Sequence, residues 1–241
     1  MYLRLVFPFV LAGASLASAN TLTLNSTAVT DAQDEFGNAL AADSLVLWLV
    51  DPDPDSVGGG FEDLIANSGI VIDSSITLEV GNMFGGYQIV STQGALGTDT
   101  VDPGEIGSGF SLNVPTTDSP TAIDAGDMLG VIWFPTEMYN EGSPLMISEA
   151  DAGLNFGFAS VTASQAATQA EAGVEWSLPM LAANTETAFS FVPNAAANSN
   201  EFLTATGGAA TFEVQAPAIP EPAAVGLFMG LGVILLASRR R

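Results

Sequence analysis

The chain has no histidine, no cysteine and no lysine, and its four cations are all arginine. Arg4 lies near one end and Arg239, Arg240 and Arg241 close the other, so everything from Leu5 to Ser238 carries acids and no base. These absences exclude whole chemistries. Ser-His-Asp and Cys-His catalysis need an imidazole. A Walker-type phosphate loop needs its lysine, and zinc sites draw mainly on His and Cys. Schiff-base chemistry finds no side-chain amine, and no disulfide framework can form. A polyanion without a cationic patch cannot hold a phosphate backbone by charge, which excludes nucleic acid as a direct partner.

What is present is acid and apolar bulk. The 241 residues suffice for a real hydrophobic core, and the net charge is −23. Carboxylate-pair chemistry survives the exclusions. However, no Asp-Thr/Ser-Gly triplet occurs, and no two acids stand apart from the rest. The charge reads as a solubility device that keeps an apolar, strand-rich chain from associating, and it would suit salty water.

Both ends carry addresses. Residues 1–19, MYLRLVFPFVLAGASLASA, combine one Arg, an apolar run and small residues at Ala17 and Ala19. That pattern predicts a secretory signal peptide cut before Asn20; the apolar run is too short to span a bilayer comfortably. At the other end Pro220-Glu221-Pro222 precedes an uncharged apolar segment, Ala223 to Ala237, and then the three arginines. The segment is marginally long enough for a bilayer core. The positive-inside tendency leaves Arg239, Arg240 and Arg241 cytoplasmic and the domain outside.

In order and position, Pro220, Glu221 and Pro222, the glycine-containing apolar stretch and the arginine cluster resemble the PEP-CTERM sorting signal of exported bacterial proteins. The resemblance covers about the last two dozen residues. It implies processing by exosortase, a transpeptidase-like membrane enzyme, in a Gram-negative-type bacterium. It also implies a cell-surface or extracellular-matrix destination, with exopolysaccharide as a possible neighbour. A physical account fits: the prolines hold an extended peptide at the membrane face, and the apolar helix parks it beside an embedded enzyme. A plain tail anchor would share the helix and arginines but has no need of Pro-Glu-Pro.

Between the ends, short β-type runs alternate with Gly, Pro, Asn and Asp. Strands are predicted over Thr21–Thr30, Leu45–Val50, Ile70–Val80, Tyr87–Ser91, Phe110–Val114, Met128–Phe134, Leu154–Thr162, Thr187–Val192 and Ala210–Gln215. TLTLNSTAVT alternates as a half-buried strand should, whereas LVLWLV and LGVIWF run on as core strands do. Only Ala163–Ala172 reads as helix. The expectation is all-β: one β-sandwich, Ig-like or jelly-roll-like, over 20–215, a linker with the Pro-Glu-Pro motif over 216–222, and a transmembrane segment with its arginines over 223–241.

Two stretches could carry chemistry. Asp51, Asp53, Asp55 and Glu62 occupy positions one, three, five and twelve of DPDPDSVGGGFE, the register of a calcium loop. Against Ca²⁺, Ser56 stands where the sharp turn wants Gly, two prolines stiffen the ligand arm, and a strand precedes the loop. A solvated acidic turn is the preferred reading. Asp99, Asp102 and Glu105 form a weaker candidate. Among the aromatics, Trp48 and Trp133 lie in continuous apolar runs and read as core. Trp176 is the candidate platform for a glycan, with Tyr87 and Tyr139 as companions, although a core role is preferred for it as well. The sequence therefore points to a non-enzymatic exported protein with no catalytic residues and no cofactor. A carbohydrate-binding module is the alternative, and a carboxylate-dependent glycan hydrolase follows behind it.

Overall fold

The computed structural model describes residues 20–52, 61–96, 104–114, 123–161, 176–182, 184–193 and 200–218. Fourteen strands run through them. The long ones are β1 (Asn20–Thr30), β2 (Ser44–Asp51), β6 (Tyr87–Gly94), β7 (Ile106–Val114), β8 (Met128–Met138), β10 (Asn155–Ala159) and β11 (Glu186–Val192). Shorter ones are β3 (Gly69–Val71), β4 (Ile76–Thr77), β5 (Met83–Phe84), β9 (Met146–Ile147), β12 (Glu201–Leu203), β13 (Ala205–Thr206) and β14 (Phe212–Gln215). One short helix, α1 (Glu62–Asn67), joins them. The protein is all-β, as its composition and turn spacing predict.

Strand β1 is the hub of the first sheet. It pairs antiparallel with β7 along most of its length, and parallel with β11 and then β13 on its other flank; β12 continues outside β11. Its alternation buries Leu22 and Leu24 and leaves threonines outward. A register shift between Thr27 and Val29 then breaks the period, so Ala28 and Val29 are both buried. The extra residue of such a bulge redirects the side chains that follow it.

The second sheet runs β3-β14-β10-β8-β2-β6-β5. All eight residues of β2 are buried, because each face of this sheet is covered. Val46, Trp48 and Val50 join Leu129, Val131 and Trp133 of β8 in a core shared with the first sheet. Leu45, Leu47 and Leu49 join Ile132 and Phe134 in a second core on the opposite face. That second core is closed by Phe61, Leu64 of α1, Ile72, Leu78 and Ile147 of β9. LVLWLV and LGVIWF lack alternation for this reason: a strand apolar on both sides has no polar face to present.

Close approach in this sheet depends on two missing side chains. A Cβ at Gly157 would fall inside the Trp133 indole, and one at Gly130 would lie 2.6 Å from Cζ of Phe61. The Trp133 Nε1–H donates to the Gln33 carbonyl at 2.9 Å, which fixes the ring that Gly157 accommodates.

The structure departs from the sequence reading in places. The single strand expected over Ile70–Val80 is two short ones, β3 and β4, separated by the exposed Asp73-Ser74-Ser75 turn. Helix α1 was not foreshadowed, and the helix expected over 163–172 lies outside the described residues.

Candidate functional site

Asp51 ends β2 with its side chain buried, and its Oδ2 accepts the Phe61 N–H at 2.8 Å. This bond spans the acidic loop and anchors the residue before α1. Phe61 is held in the left-handed region at φ 66°, with its ring buried against Tyr87 at 4.7 Å and Phe158 at 5.1 Å. A bulky residue with positive φ is strained, and here packing and the Asp51 bond hold it. Asp51 is therefore buried and engaged as a structural anchor rather than lying in a solvated turn. Glu62 is exposed at the first position of α1. Asp53 and Asp55 lie outside the described residues, as do Asp99 and Asp102. Among the described residues no three acids cluster as a metal site would require. Glu105 is bridged to Leu96 and accepts a 3.4 Å hydrogen bond from the Thr27 hydroxyl.

Tyr87 closes this corner from the other side. Its phenolic oxygen accepts the Leu64 N–H of α1 at 3.2 Å. Burial pushes the phenol up to about 12, and the Asp51 and Asp63 carboxylates add to the shift. An opening of about 200 Å³ beside it is lined by Asp63, Asn67 and Val71.

Trp176, the candidate glycan platform for which the sequence prefers a core role, is fully buried at 0% exposure, as that core reading expects. Its indole packs on Trp48 at 5.8 Å and Phe191 at 5.1 Å, and its Nε1–H donates to the Leu203 carbonyl at 2.6 Å. Trp176 and Ser177 run alongside the start of β8, with the Leu129 N–H donating to the Trp176 carbonyl and Met128 bridged to Ser177, so the ring turns into the shared core and has no face left for a sugar. Trp48 and Trp133 are core, as their apolar runs predict.

Of the residues at the expected processing sites, Asn20 is described. It opens β1, it is buried, and its Oδ1 accepts the Asn184 N–H at 2.9 Å. Ala17, Ala19, Pro220, Glu221, Pro222, Arg239, Arg240 and Arg241 lie outside the described residues. Among the described residues no helix is long and apolar enough to cross a membrane, and the segment over 223–237 lies outside them.

One recess was not foreseen. A cleft of about 280 Å³ opens where the β8 end and the turn after it meet the β4–β5 connection. Leu45, Leu78 and Leu145 form its apolar wall, and Tyr139, Glu79 and Asn140 supply polar atoms. Its only sequence signal is that β8 changes character after Phe134: residues 135–138 alternate half-buried with exposed, and Met138 is left 60% exposed.

No protein-family model, no curated protein and no solved structure matches the chain.

Proposed function

We propose that the chain is a non-enzymatic exported protein, delivered to the cell surface or extracellular matrix and processed at its C-terminus by an exosortase-type membrane enzyme. The sequence of the tail carries the reading: Pro220-Glu221-Pro222, the apolar segment, then Arg239, Arg240 and Arg241. The signal-like residues 1–19 support it. Two sheets facing each other across a shared core suit a β-sandwich of Ig-like or jelly-roll kind, a frame common in exported proteins. The lysine-free, anionic body acts as cargo, and the cations stand only beside the apolar ends.

The carbohydrate-binding alternative loses its proposed aromatic, since Trp176 lies inside the core. No observation favours the hydrolase.

The test is intact mass and location of the protein in a host that carries an exosortase. The mature chain is expected to begin at Asn20 and to lack the terminal arginines. Replacing Pro220-Glu221-Pro222 by three alanines is expected to leave the tail uncut and the protein held in the membrane. Full-length Met1–Arg241 recovered from the cytosol, never membrane-bound, would overturn the reading.

A further inference from the structure

The cleft beside Tyr139 is used by nothing proposed so far. Its lip is apolar and exposed: Met138 is 60% exposed and Val80 57%. Two such side chains at one opening form a patch that water solvates poorly, and Met138 is an unbranched thioether that adapts to the shape of what it meets. Around the lip stand carboxylates. Glu79 lines the wall. Asp43, the residue before β2, is exposed beside Tyr139: its carbonyl accepts the Tyr139 N–H at 2.7 Å, and its Oδ1 and the Tyr139 Cβ both border Gly94. No cation between Leu5 and Ser238 offsets them.

This combination selects an occupant. A second copy of the chain brings the same sign of charge, and an anionic polymer is repelled. A neutral apolar ligand would use the lip but would desolvate carboxylates without pairing them. A peptide with positive charges flanking an apolar side chain satisfies both surfaces at once. We propose that this cleft is a docking site for a basic segment of a partner protein. One apolar side chain of that segment seats between Tyr139 and Met138, and its lysines or arginines pair with Glu79 and Asp43. The proposal stands independently of how the chain is sorted.

The absence of lysine makes the test clean, because the chain has no side-chain amine for its own carboxylates to couple to. A synthetic peptide of four lysines around a Leu-Phe pair is added to the full-length protein, followed by a carbodiimide, and the amide cross-links are mapped by mass. Binding is measured in parallel, with a control peptide carrying glutamine in place of lysine. Cross-links are expected at Glu79 or Asp43. The glutamine peptide is expected to bind at least about tenfold more weakly, and Met138→Gln to weaken the lysine peptide about fivefold. Met138 is mostly exposed, so that variant keeps the core intact. A thermal melt of the variant checks this. Cross-links spread over remote acids such as Glu186 and Glu213, equal binding of both peptides, or no saturable binding would each overturn the proposal.

Discussion

Tyr87 ties a titration to a fold element. Its phenol is raised above its ordinary value by burial, so the neutral form belongs to the folded state. A raised value for this group means that its contribution is fully present below the unfolded value near 10 and is lost as pH climbs toward about 12. Discounted for solvent screening, the linked loss is on the order of 1–2 kcal/mol. Urea midpoints are therefore expected to hold up to about pH 10 and then fall. In Tyr87→Phe the alkaline fall should be shallower, after a uniform loss of about 1 kcal/mol for the Leu64 hydrogen bond. An identical slope in both proteins would remove Tyr87 from the account. At Gly157 the constraint is steric. Gly157→Ala drives a methyl into the Trp133 ring and is expected to cost about 2–3 kcal/mol in a denaturant melt, with a shift in tryptophan emission. A loss under about 0.5 kcal/mol would mean that the ring has room to move.

At the scale of elements, β2 and β8 carry both cores, so truncation on either face should matter. Trp48→Ala opens a void between the two sheets, where Trp48 meets Phe110, Trp176 and Phe191, and is expected to cost about 3–5 kcal/mol. Trp176→Ala should cost a similar amount and leave any glycan affinity unchanged, a point that melts and a polysaccharide array check together. A glycan signal lost with Trp176 while the melt stays put would contradict its burial. These same strands were legible in the sequence, because a run such as LVLWLV has no polar face to mislead a reader. Elements whose identity depends on distant partners were not. The two- and three-residue strands β9, β12 and β13 carry too few residues for any period, and they exist because a neighbouring edge accepts them. Helix α1 has six residues, and long-range contacts through Asp51 and Tyr87 hold its start. The cleft was illegible for the same reason, since Glu79 and Tyr139 are brought together only by the fold.

For the whole molecule, charge is the governing quantity. Acids repel one another over the domain and no base relieves them, so no ion pair can offset the repulsion between Leu5 and Ser238. Added salt screens exposed charges within about 8–10 Å near physiological strength. The melting temperature is expected to rise by several degrees between 0.05 and 1 M NaCl, with most of the gain below about 0.3 M. A flat or falling curve would show that the carboxylates are already too far apart to matter.

The parallel pairing of β1 has a consequence in time. Asn20 is bonded to a backbone amide 164 positions further along, and β11 and β13 arrive later still in synthesis than almost everything else. The earliest-made strand must wait with one edge bare until nearly the whole domain has emerged. A nascent chain halted before Glu186 therefore cannot complete its first sheet, and it remains a soft target for proteases until that seam closes.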